Sequence, residues 1–156
     1  MAGYNRINAY GHVNGMALSV PEPGKAEYRM VIRPEHLSSP GVAHGGVVAG
    51  LMDAVLGAAA LTLAFTAGEL VSTVEFKINY LHPVRLGDEL RAMAQVDHAG
   101  KSLVVSSGVI YRQAAGETDA TAVAQGVGTF NRYPASKRLD ELTSGRAGNS
   151  LLADTR

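Results

Sequence analysis

The sequence predicts an α+β fold in which one long apolar helix packs against a curved antiparallel sheet of five to six strands. Three observations lead there. The stretch Val47–Phe65, 19 residues, holds a single charge, Asp53. Five segments around it alternate apolar and polar residues with period two. Finally, one helical segment alone gives no strand–helix–strand alternation from which a parallel sheet could be built.

In chain order, Val13–Val20 reads as a short first strand, and Ala26–Arg33 as a second with Tyr28, Met30 and Ile32 on one face. Ser38-Ser39-Pro40-Gly41 is turn-forming, and Gly45-Gly46 lets the backbone enter the helix tightly. Gly68 supplies a left-handed cap just beyond the helix. Small residues inside the helix (Gly50, Gly57, Ala58, Ala59, Ala60, Ala64) permit other backbone to come close. Thr73–Leu81 places Val74, Phe76, Ile78 and Tyr80 on one side and Thr73, Glu75, Lys77 and Asn79 on the other. Strands at Leu90–Val96, Leu103–Tyr111 and Ala120–Phe130 follow, separated by turns such as Ala99-Gly100-Lys101 and Ala115-Gly116-Glu117. These four consecutive strands are expected to form a meander. Residues 1–133 then make one domain, and the polar stretch 134–156 a mobile tail.

A bilayer span at Val47–Phe65 is disfavoured. Asp near the centre of a span costs roughly 2.5–3.5 kcal/mol on insertion scales, and no Lys or Arg lies between Arg33 and Lys77 to anchor either end. A helix apolar on all sides is one buried in a globular core. Met1–Arg6 lacks a basic region followed by an apolar run, so no secretory signal is read.

Composition narrows the function. Fourteen basic and fourteen acidic residues give zero formal net charge, which offers no basic patch for nucleic acid or anionic lipid. Cysteine is absent, so disulfides, thiolate metal sites and a Cys nucleophile are excluded, and a cytoplasmic location is compatible. No pair of the five histidines has the i, i+4 spacing of a helical metal site, so neither metal nor cofactor is expected. A neutral chain with 46% hydrophobic residues favours self-association.

The chemistry concentrates at His44-Gly45-Gly46, followed after six intervening residues by Asp53. A tight turn feeding a helix leaves its first N–H groups unpaired, and the helix dipole adds positive potential there. Such an N–H can receive charge developing on a carbonyl oxygen, and glycine leaves the approach open. Asp53 is costly in an apolar helix unless it is paired or used.

His44-Gly45-Gly46, Asp53, the small-residue helix and the strand end Asn79-Tyr80-Leu81-His82-Pro83 together resemble the hotdog-fold acyl-CoA thioesterases, most closely those of the phenylacetate-degradation type. The resemblance covers about residues 15–133. It implies hydrolysis of an acyl-CoA thioester without a cofactor. Asp53 would act as general base or nucleophile, the Gly45 N–H would polarise the carbonyl, Thr73 would orient water or substrate, and His44 would hold the helix entry. Substrate contacts are implied at Ser38, Gly46 and Asn79. Many relatives have Asn where this chain has Ser38.

Gly45 and Asp53 stand eight residues apart, about 12 Å along a helix, whereas a carbonyl and its attacking water approach within about 3–4 Å. One helix cannot easily present both groups to one substrate. Two antiparallel helices across a dimer axis can, so a homodimer, assembling further into a tetramer, is expected. The competing readings are a hotdog hydratase or dehydratase and a non-catalytic acyl-CoA binding protein. The first wants a His–acid pair, which is not evident, and the second an appended regulatory domain.

Overall fold

The computed structural model describes residues 8–113 and 119–136. A short helix (Ala9–Val13) leads into β1 (Ala17–Ser19) and β2 (Lys25–Val31). A small hairpin of β3 (Leu37–Ser39) and β4 (Val42–Ala43) feeds the central helix, Gly45–Phe65. Then come β5 (Glu69–Tyr80), β6 (Glu89–Ala99), β7 (Leu103–Gln113) and β8 (Thr121–Pro134). Six strands form one antiparallel sheet in the order β1-β2-β6-β7-β8-β5, curled around the helix. This is the hotdog arrangement. The Met1–Arg6 reading, the turn at Ala115–Glu117 and the tail from residue 137 onward lie outside the described residues.

The helix ends follow from local chemistry. His44 is the N-cap, its side chain accepting from the Gly46 N–H, and Gly68 takes a left-handed φ of 72° just past the last turn. The apolar helix, though long enough to cross a membrane, carries the core. Leu51, Met52, Val55, Leu56, Ala59 and Ala60 are fully buried against Tyr28, Leu90, Val104, Ile110 and Phe130 of the sheet.

Two expectations are corrected. The four strands after the helix are not a simple meander: β6, β7 and β8 follow one another, but β5 pairs with β8 at the sheet edge. The reason lies in the link from Leu81 to Asp88. It is drawn across the β3–β4 hairpin by the Ala43 N–H on the Val84 carbonyl (2.9 Å) and the Leu86 N–H on the Gly41 carbonyl (3.1 Å). The Gly87 N–H on the Ile32 carbonyl (2.9 Å) then delivers β6 beside β2. Likewise, Val13–Val20 is not all strand. Asn8 caps a helix that holds Val13, its side chain accepting from the Gly11 N–H (3.0 Å), and pairing is confined to Ala17–Ser19.

Sheet and helix meet closely because glycine stands where a side chain would collide. A Cβ on Gly126 would lie 2.7 Å from the Lys77 carbonyl oxygen and 3.0 Å from Met52 Cγ. Gly126→Ala is therefore expected to destabilise the fold by about 1–3 kcal/mol, read as a lower thermal midpoint at fixed protein concentration.

His36 closes the short 3-10 turn Pro34–His36 and is only 2% exposed. Its Nδ1 accepts from the Arg33 N–H (3.1 Å), and its carbonyl accepts from the His44 N–H (2.8 Å). Nε2 is buried without a partner among the described residues. Burial first, and the Arg33 charge second, hold its pKa below the ordinary 6.5. The unfolded chain thus binds this proton more readily, so the folded state's advantage is complete above pH 6.5 and is lost as pH falls below it. The urea midpoint should drop between pH 7.5 and about 5.5, and drop less in His36→Asn.

Candidate active site

The central helix enters from the hairpin with its first amides sorted by His44. The His44 Nδ1 takes the Gly46 N–H at 2.8 Å, and the His44 carbonyl takes the Val47 N–H at 3.0 Å. Gly45, between them, is an exposed residue whose N–H has no partner among the described residues. It is therefore a free donor at the positive end of a 21-residue helix. The sequence reading placed a donor at this glycine, and the geometry leaves it open.

Two turns further on, Asp53 is half-buried, and its Oδ1 accepts from the Thr73 hydroxyl at 2.9 Å. This pairing rests on an irregularity. Thr73 is opposite Phe130 and Glu75 opposite Thr129, so the register slips by one residue at Val74. Phe130 is fully buried beneath the helix, and cross-strand partners share a face. Thr73 consequently faces the helix with Phe76, Ile78 and Tyr80. Strict alternation had placed it on the other side, with Glu75, Lys77 and Asn79. The bulge leaves Val74 59% exposed instead.

The remaining predicted site residues are dispersed. Gly46 sits at the helix start, where a Cβ would crowd the His44 ring at 2.8 Å. Ser38 is exposed on β3, where the hairpin register slips. Asn79 is paired with Gln125 on the sheet face away from the helix. There it lines a concavity of about 600 Å³ with Lys77, Met93 and Gln95. The structure does not bring Asn79 to Asp53 or Gly45. On the same outer face, Glu75 accepts from the Thr129 hydroxyl at 2.6 Å. Among the described residues, no cluster of three or more His, Asp or Glu side chains could hold a metal ion.

Tyr80, which the sequence shows as an apolar strand position and as part of the strand end that carries the resemblance, is a neighbour of the free amide. Its hydroxyl donates to the Gly45 carbonyl at 3.0 Å. A cavity of about 280 Å³ opens beside Gly45, walled by Tyr80, Leu81, His82, Pro83 and Val48. The signal was present, since the Asn79-Tyr80-Leu81-His82-Pro83 strand end stood out, but its spatial neighbour could not be read.

Residues 40–118 match the Thioesterase superfamily. Human acyl-coenzyme A thioesterase 13 is 32% identical over 95 residues, which is 61% of this chain and 66% of that protein. Among solved structures, the E. coli PaaI protein from the phenylacetic acid degradation operon is similar at a TM-score of 0.75 and 25% identity. That match covers 85% of this chain and 89% of the PaaI chain. A thioesterase family protein from Silicibacter pomeroyi gives a TM-score of 0.77 at 26% identity, over 86% of this chain and 95% of that one. The chain spans between about half and two-thirds of the length of the curated relatives it matches. The matched region runs from the hairpin through β7 and contains Gly45, Asp53, Thr73 and Tyr80. The chain belongs to the Thioesterase superfamily.

Proposed function

We propose that the protein hydrolyses an acyl-CoA thioester to the free acid and CoA. The observation that carries this reading is the pair of groups on one apolar helix: an unpaired Gly45 N–H at its start and a single carboxylate, Asp53, held by Thr73. A thioester carbonyl received by the Gly45 N–H is polarised as negative charge gathers on its oxygen. Asp53 takes a proton from a water molecule, whose oxygen attacks the acyl carbon. The C–S bond breaks and the CoA sulfur receives the proton. The Thr73 hydroxyl fixes the carboxylate's orientation through Oδ1 and leaves Oδ2 for the water. The similarity to human acyl-coenzyme A thioesterase 13 supports this substrate class, with aryl and medium-chain acyl groups as its candidates.

The site is composite in this proposal. In one chain, Thr73 and Tyr80, which touch Asp53 and Gly45, lie seven residues apart along β5, roughly 20 Å at strand spacing. No single water spans that. The outer edge of β5 is unpaired in the described chain, and a 12-residue open edge is a template for a second strand. A second copy adding antiparallel about a two-fold axis near Lys77, with the bulged Val74 passed over, sets Thr73 opposite Tyr80 of the partner subunit. Asp53 then meets Gly45 of the partner subunit, and the dimer has two equivalent sites.

Asp53→Ala should lower kcat by about 10²–10⁴-fold with KM little changed, measured as thiol release from a panel of aryl and medium-chain acyl-CoAs. Wild-type-like turnover in this variant would sink the reading. For the composite site, Gly45→Pro removes the donor at a helix position that tolerates proline. Isolated heterodimers of Gly45→Pro with Asp53→Ala chains should regain about half the wild-type rate, since one of two sites is intact. A rate no higher than that of either parent dimer would rule it out.

A further inference from the structure

We infer that Tyr80 is a positioning residue for the Gly45 amide. The assignment rests on the hydrolytic reading of Gly45 above. Gly45 is the first residue of the helix, with no side chain to hold it and no bond on its N–H. First-turn residues of a helix fray unless capped. The Gly45 N–H shares a peptide plane with the His44 carbonyl, which accepts from the Val47 N–H at 3.0 Å, and His44 Nδ1 takes the Gly46 N–H of the following plane at 2.8 Å. Both of those bonds are local to the helix entry; the tie to the sheet comes from 35 residues downstream, where the Tyr80 hydroxyl donates to the Gly45 carbonyl at 3.0 Å. The Tyr80 ring also stands 3.6 Å from the point where a Cβ on Gly45 would be. One tyrosine therefore grips the glycine by its carbonyl and lies in van der Waals contact with its open side.

A clamp is only as rigid as its base. Tyr80 is opposite Ala124, which is fully buried, and the next two amides, of Leu81 and His82, both donate to the Val123 carbonyl at 2.8 and 3.3 Å. The end of β5 is thus pinned to β8 directly after the tyrosine. The same strand holds Asp53 through Thr73, so both reacting groups are referenced to one rigid element. The Tyr80 hydroxyl spends its proton on the Gly45 carbonyl and forms one wall of the cavity beside the amide. Its effect is therefore on how well the N–H meets charge on the carbonyl oxygen, an interaction made in the transition state more than in the ground state.

Tyr80→Phe keeps the ring and removes only the grip. In the acyl-CoA thiol-release assay its kcat should fall about tenfold, the magnitude of one lost hydrogen bond, with KM and the pH profile of kcat/KM unchanged. Binding separates positioning from bulk stability. Affinity for a CoA trifluoromethyl-ketone analogue, whose oxygen carries developing charge, should weaken about tenfold, while affinity for the matching alkyl-CoA thioether should not change. A lower thermal midpoint with wild-type kcat and analogue binding would overturn the assignment, because it describes a merely structural tyrosine. If wild type is active, Asp53→Ala inactive and Tyr80→Phe indistinguishable from wild type, Tyr80 loses its role and the hydrolytic reading stands. If wild type releases no thiol from any acyl-CoA, both fall together.

Discussion

The hydrogen bond from Thr73 to Asp53 ties the only charge of the central helix to the edge strand of the sheet. Much else follows from that contact. An ionised side chain on an apolar helix must find polar partners or water, and Asp53 can do so only where the sheet's cover ends. The side of the helix toward the sheet is closed by β2, β6, β7 and β8, with Leu51, Val55 and Leu56 wholly buried, while Ala49, Gly50, Asp53 and Ala54 stay partly exposed. The carboxylate therefore emerges beside β5, and β5 fixes the helix start as well through Tyr80. A short chain thus holds two chemical groups on a single helix and locates both from a single strand.

The close packing that makes this possible is carried by absences. Gly126, Gly108 and Gly57 face the helix–sheet contact at points where a Cβ would approach Met52, Leu56 and Phe130 within 3.0–3.3 Å. A sheet that wraps a helix this tightly has little capacity to yield, because interiors are packed at crystal-like density. The loop side is tied just as firmly. His36 sits buried under the hairpin with its carbonyl on the His44 amide, so the entry to the helix is braced from behind.

Much of the fold could be read from the residues because it is written in local patterns. Gly45 and Gly68 bracket the helix, and Leu90, Ala92 and Ala94 alternate cleanly into the core of β6. What could not be read was non-local. Period-two alternation says which residues share a face but not which strand lies alongside, so the β5–β8 pairing was invisible. The β5 bulge is a property of two strands, and without it Thr73 falls on the wrong face, although the resemblance implied that its hydroxyl orients water or substrate. Tyr80 was legible as an apolar position and a member of the strand-end motif, with no role attached. Its bond to Gly45 joins residues 35 apart through a fold the local signals do not specify. Asn79 shows the same limit from the other side: its place in a recognisable strand end implied a substrate contact, and the register puts it on the outer sheet face, apart from Asp53 and Gly45 of its own chain.

The slip at Val74 also makes the pairing of hydroxyl and carboxylate a matter of counting. Chains with identical side chains but one link fewer between Thr73 and Phe76 would keep every residue type that defines the family and still point the hydroxyl outward. Drift by insertion or deletion in this segment could therefore silence a member whose composition looks intact. Sorting working from lapsed members of such a family would then require the spacing along the edge strand as well as the identity of its residues.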